Sequence, residues 1–308
     1  MTATRRAFIK KVSTAAAGAA FVSENDKLLH AEGLAIRPGL QLWTVRDDLS
    51  RDPAATLHAV AQIGFRELEL YALPKDAAAF RRQCSNEGLA CVGGHFELSS
   101  LKSQETIDAA KELGLKYIII VFPTMRSLRD RDTSTIEFHE LSRLYESISL
   151  DDYKWNAEQF NKYGEILKQS GLQLGYHNHA IDLKKFGNVA ALNLLIESTD
   201  PSLVVFEMDC GHVIHAGSDP NEYLQKYPKQ IQLLHLKDLK PGYSVSTTLD
   251  TEDKDTNAEI GSGSINWKRL FEVARNGDVK HSFIEHEGKM DHPPLEAIAV
   301  SYKYIQQL

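Results

Sequence analysis

Several things are scarce in this sequence, and each scarcity removes a class of protein. Cysteine occurs three times in 308 residues, as Cys84, Cys91 and Cys210. An odd count without a CxxC pair is a poor disulfide framework; Cys84 and Cys91 are close enough in sequence to pair, and buried free thiols are the expected reading. Basic residues are not in excess, since 35 Lys and Arg stand against 42 Asp and Glu and the formal net charge is -7. That balance excludes nucleic acid held on a broad basic surface. No glycine-rich phosphate turn follows the first apolar run, no P-loop occurs, and no arginine cluster offers a phosphate site. No repeat of solenoid period stands out. No stable membrane span is expected in the mature chain, because the apolar stretch at 12–22 is too short to cross a bilayer.

The rest is ordinary globular material, 43% hydrophobic and 25% charged, enough for one barrel-sized domain or two smaller ones. The N-terminus departs from it. Arg5 and Arg6, followed by Phe8 and a short alanine-rich run, resemble a twin-arginine export signal over residues 1–31. The expected location is periplasmic or otherwise exported, with cleavage after Ala20 or Ala31.

From residue 36 onward short β-rich runs alternate with longer amphipathic stretches. Strands are expected at 40–45, 67–71, 90–95, 117–122, 172–177, 203–208, 231–236 and 281–285. Helices are expected at 53–63, 76–87, 103–113, 153–170, 189–197, 221–227, 267–276 and 294–305, the first opened by Asp52 and Pro53. Tyr-Ile-Ile-Ile-Val-Phe at 117–122 is apolar on both faces, as a parallel sheet covered on both sides requires. Two long polar loops interrupt the pattern, at 124–150 and 248–264. Eight strands alternating with eight helices predict an α/β fold, a single-domain (β/α)8 TIM barrel over 36–308, with its site at the C-terminal strand ends. A doubly wound open sheet is the other topology of this pattern.

The ends of the late strands carry the chemistry. His177 and His179, Asp209, His235 and Glu285 each finish an apolar run. Buried carboxylates and imidazoles must be paired or hold a metal, and one shared site is the simplest destination for all of them. His177, Asp209, His235 and Glu285 give two nitrogens and two oxygens. That set suits one divalent ion, Mn, Zn, Co, Fe or Mg, without selecting among them. Alternation puts His179 on the face of His177, Lys237 on that of His235 and Glu287 on that of Glu285. His179, Lys237 and Glu285 are therefore the candidates for moving protons. Lys237 has a second reading, a rim ion pair with Asp238. Trp43, Glu69, His95, His212, Asp238 and Glu287 are candidates for touching substrate.

Gly39 to Asp47 (Gly-Leu-Gln-Leu-Trp-Thr-Val-Arg-Asp), Tyr176-His177-Asn178-His179, Met208-Asp209, His235-Leu236-Lys237-Asp238 and Ile284-Glu285-His286-Glu287 resemble the sugar phosphate isomerase/epimerase family. This is the xylose isomerase-like barrel group that also includes endonuclease IV, and the resemblance runs from about residue 36 to the C-terminus. It implies metal ligands in the order glutamate, aspartate, histidine, glutamate on strands five to eight. Asp209, His235 and Glu285 match, and His177 departs from the pattern. It also implies a sugar isomerase or epimerase acting through an enediolate, on a small sugar or glycoside, in a protein that often pairs as a homodimer. The missing strand-five glutamate puts two-base epimerisation in question and brings forward an alternative. A lyase would take the C2 proton of a 3-keto-glycoside and expel the C1 substituent. A phosphodiesterase like endonuclease IV is the third reading, opposed by the acidic balance.

Overall fold

The periodicity of the sequence is realised as a closed barrel. A computed structural model describes residues 37–129, 136–249 and 256–308; the expected export signal at 1–31 lies outside the described residues. The eight strands are β1 (Gly39–Gln41), β2 (Glu67–Leu70), β3 (Ala90–Phe96), β4 (Tyr117–Ile120), β5 (Gln173–His177), β6 (Val204–Asp209), β7 (Ile231–Leu236) and β8 (His281–Ile284). Each pairs in parallel with its neighbours in chain order, and β8 returns to β1. Every residue of β4 and β6 is buried, because helices cover the outside and side chains fill the inside.

Local signals fix where the covering helices begin. Asp52 accepts the amide of Ala55 at 3.0 Å and Pro53 takes the first helical position of Pro53–Ile63. Asp76 caps Ala77–Asn86 through Ala79 at 2.8 Å. Ser149 and Asp152 form a reciprocal capping box that opens the long helix Leu150–Gln169, earlier than the expected start at 153. Among the described residues no helix is long and apolar enough to cross a membrane.

Three expectations are corrected. The first strand stops at Gln41, and Leu42–Val45 winds into a 3-10 turn because the Gln41 side chain caps the Trp43 amide at 3.0 Å. The 124–150 loop carries a helix, Phe138–Glu146, in which Tyr145 is buried. The expected helix at 189–197 starts at Ala191. Val189–Ala190 instead pairs antiparallel with Lys185–Phe186 around Gly187, whose φ of 65° suits glycine.

Inside the barrel, inward side chains recur every second residue along each strand. The lowest layer is apolar, a cluster of Val92, Tyr117, Ile119, Val205, Leu233 and Phe283. Two residues further along β6, β7 and β8 stand Glu207, His235 and Glu285, then Asp209, Lys237 and Glu287. The polar site therefore rests on an apolar floor. Cys84 and Cys91 lie with their sulfurs 3.9 Å apart as free thiols, outside the site.

Candidate active site

Four side chains from four consecutive strands converge at the barrel mouth. One donor atom from each of His177, Asp209, His235 and Glu285 lies within 4.8 Å of all the others, and all four residues are buried. Register brings them together: His177 is level with Glu207 across β5 and β6, and Asp209 with His235 across β6 and β7. Asp209 is fixed by its own backbone. Its amide donates to Asn178 Oδ1 at 3.1 Å, and its Oδ1 accepts the His212 amide at 2.8 Å at the start of helix Cys210–His215. That leaves Asp209 Oδ2 buried without a hydrogen bond. It stands 4.0 Å from His177 Nε2 and 3.9 Å from His235 Nδ1. The Lys237 ammonium is 3.2 Å from the same oxygen, and a buried carboxylate oxygen beside two ring nitrogens also fits a divalent cation between them.

The charges agree with such a site. Burial, reinforced by His235 and the other nearby imidazoles, pushes His177 well below its ordinary value, so its ring is neutral. Burial opposes a proton on His235, but Glu207, Glu285 and Glu69 outweigh it and raise its pKa. A bound cation would replace that proton on the inner nitrogen. Glu285 is held below the usual carboxylate range despite burial, by Lys237 and His235. Burial raises Asp209 to about 6, with Lys237 and His235 pulling the other way.

A second polar layer lies beneath. Glu69 Oε2 meets His235 Nε2 at 2.6 Å and Gln41 Nε2 at 2.8 Å. Glu207 Oε2 meets His177 Nδ1 at 3.1 Å. His95 is 3.1 Å from Glu69, whose charge outweighs burial and raises His95 to about 9; in turn His95 and His235 lower Glu69 to about 2 against the effect of burial. Gly93 makes room for this layer, since a Cβ there would stand 2.9 Å from Glu69 Oε1. The sequence reading missed Glu207 and Gln41. Glu207 had a signal: a charged residue inside an apolar run, on the same strand face as Asp209.

The other expected residues separate by their position relative to a cavity above the centre. A cavity of about 320 Å³ above the centre is lined by Trp43, Tyr71, His95, Val121, Phe122, His177, His179, Leu249, Glu285 and Glu287. His179 stacks on Phe122 with ring centroids 4.2 Å apart, and its Nδ1 is buried without a partner. Burial and Lys237 lower it to about 3, so its ring is neutral. Lys237 is held just behind the cavity wall, 2.6 Å from Glu287, 3.2 Å from Asp209, 3.3 Å from Glu285 and 3.1 Å from His212. Gly211 lets it pass, as a Cβ there would stand 2.7 Å from its stem. Glu69 is fully enclosed below the cavity and reaches no substrate position.

Asp238 points elsewhere, contrary to its expected place at the substrate or in a pair with Lys237. Its carboxylate accepts the amides of Leu239, Gly261, Ser264 and Ile265 and the Trp267 indole at 2.7 Å, which fastens the loop before helix Trp267–Ala274. Trp43 sits on the rim, 38% exposed, with its ring edge-on to Tyr71 and the Arg46 guanidinium 4.1 Å from its centre.

The model of the family described as xylose isomerase-like TIM barrel matches residues 57–308. The chain belongs to this family. Among curated proteins, the chain is 27% identical to an inosose dehydratase of Clostridium perfringens over 166 residues, 51% of this chain and 55% of the relative. The chain thus spans about half the length of the relatives it matches by this measure. With an inosose dehydratase of Clostridium botulinum it is 26% identical over 295 residues, 86% of this chain and 94% of the relative. Among solved structures, a sugar phosphate isomerase/epimerase from Parabacteroides distasonis shares the fold at a TM-score of 0.68 and 23% identity, covering 90% of this chain and 95% of that one. A 3-keto-D-glucoside 4-epimerase from E. coli does so at 0.64 and 14%, covering 89% and 100%. A xylose isomerase-like barrel protein from Mycobacterium smegmatis in complex with magnesium does so at 0.60 and 17%, covering 90% and 97%. The family comprises sugar-modifying barrels, and relatives carry isomerase, epimerase and dehydratase names.

Proposed function

We propose that the protein is a metal-dependent lyase acting on a keto-sugar or keto-glycoside, removing the proton beside the carbonyl and expelling the neighbouring oxygen substituent. The observation that carries this reading is the convergence of His177, Asp209, His235 and Glu285 under a sugar-sized cavity, with the neutral ring of His179 on its wall. A divalent ion held by those four residues would supply Lewis-acid polarisation of a carbonyl oxygen. The neutral His179 ring on the cavity wall would accept the carbon-bound proton. Glu287 lines the cavity with Lys237 2.6 Å behind it, so the pair would supply the proton to the departing oxygen through Glu287. His179 and Lys237 are joined through His212, whose ring lies 4.6 Å from that of His179 and 3.1 Å from Lys237 Nζ. Base and acid therefore serve one side of the substrate, which favours elimination. The dehydratase names of the curated relatives agree with that exit.

Isomerisation or epimerisation is the second reading. It is favoured by Glu285, an ionised carboxylate on the cavity wall from β8, facing His179 from β5 as a second base. Incubating metal-replete protein in deuterated water with ketoses, keto-cyclitols and 3-keto-glycosides separates the two. Release of water or aglycone, followed by NMR, is the expected result. Deuterium entering an intact sugar without release overturns elimination in favour of isomerisation. No exchange with any substrate and no bound metal by elemental analysis would sink both. We also propose that residues 1–31 direct export. A mature N-terminus after Ala20 or Ala31 in the periplasmic fraction is expected, and a full-length cytoplasmic product would overturn it.

A further inference from the structure

The strand-five position that departs from the family pattern has a buried neighbour that answers the departure. His177 and Glu207 are level across β5 and β6, and His177 Nδ1 lies 3.1 Å from Glu207 Oε2. Both side chains are buried, and Glu207 Oε1 has no hydrogen-bond partner. His177 Nε2 points the other way, toward Asp209 Oδ2. The ring thus has one nitrogen on a carboxylate and the other on the converging donor set. His235 repeats the arrangement, with Nε2 2.6 Å from Glu69 and 3.1 Å from the same Glu207 oxygen, and Nδ1 3.1 Å from Glu285.

We propose that Glu207 is a positioning residue: it holds the proton of His177 on Nδ1 and so presents the Nε2 lone pair to the metal centre. The carboxylate that the family pattern places at the strand-five end stands here on the neighbouring strand, level with His177. An imidazole backed by a carboxylate then fills the position a carboxylate would occupy alone. The charge near the centre is conserved while the group facing substrate loses its capacity to act as a carboxylate base. This inference rests on the metal reading of the site, but one of its two readouts does not need metal.

The first readout is the tautomer of His177 in metal-free protein, taken from ring-nitrogen couplings of histidine-labelled samples. The expected result is Nδ1–H in the native protein and loss of that preference in Glu207→Leu. Nε2–H in the native protein overturns the proposal even if the protein binds no metal. The second is affinity for Mn(II) and Zn(II) measured by chelator competition, with folding checked by circular dichroism. Glu207→Leu should weaken binding by about 10–100-fold. An unchanged affinity overturns the proposal. If Glu207→Leu does not fold, the pair His177→Glu and His177→Glu/Glu207→Gln tests the same point. The single variant sets two buried carboxylates side by side and should bind metal more weakly than the double variant, which again has one. Equal affinity in the two counts against the proposal. A native protein that binds neither ion defeats the metal reading of the site, and the tautomer alone then decides the role of Glu207.

Discussion

Strands β4 and β6 start from the same apolar layer of the barrel and finish differently. On β4 the inward side chains run Tyr117, Ile119, then Val121 just past its end, and stay apolar. On β6 they run Val205, Glu207, Asp209. A buried carboxylate survives only with partners, and β6 has them: imidazoles on β5 and β7, and Lys237 above. Strand β4 lies between β3 and β5, where Val121 and Phe122 instead form the wall of the cavity and the surface on which His179 stacks. One side of the mouth therefore holds charge, and the other gives the cavity its shape.

This comparison can be broken at its strongest point first. Asp209→Ala should abolish stoichiometric metal binding while circular dichroism still reports a folded barrel. Full metal occupancy by elemental analysis in that variant would refute the assignment. Next, His179→Ala should lower kcat by about 10²–10⁴-fold, the range of a lost general base, with metal affinity nearly unchanged. Loss of metal instead would make His179 a ligand.

The third test uses pH. Asp182 receives the His179 amide at 2.8 Å and the Tyr153 hydroxyl at 2.9 Å, and burial raises its pKa from 3.8 to about 6. The native state then holds a proton that the unfolded chain has lost, so this group's contribution is fully present below about pH 4 and fades as pH rises through about 6. The two-unit difference corresponds to about 3 kcal/mol. Thermal melts should show Asp182→Asn losing less stability than the native protein between pH 4 and 7. Parallel pH profiles would remove Asp182 as the cause. The smallest effect belongs to the apolar side. Phe122→Leu removes one stacking partner of His179, worth about 1 kcal/mol, and should raise KM several-fold with metal affinity intact. A loss as large as that of His179→Ala would give the two sides of the mouth equal standing.

Most of the architecture was legible in the residues. Tyr-Ile-Ile-Ile could only be a strand covered on both sides, and Asp52-Pro53 could only open a helix. The site was legible wherever a polar residue ended an apolar run, which is how His177, Asp209, His235 and Glu285 were found. The sequence reading failed where geometry depends on a single bond or a single turn. Trp43 reads as a strand residue until the Gln41 side chain caps its amide and turns the chain. Asp238 reads as the partner of Lys237, although the two adjacent residues point to opposite sides of β7 and meet unrelated groups.

The sequence by itself determined the alternation of strand and helix, the barrel, and the four strand ends with imidazole and carboxylate side chains, because these follow from periodicities of two and 3.6 and from the cost of burying charge. The tertiary structure alone decided which nitrogen of each imidazole faces inward, that Lys237 stands behind the cavity wall, and that Glu207 stands beside His177. Those choices depend on register between strands far apart in the chain, where a contact of about 3 Å forms or fails according to packing that no local pattern encodes.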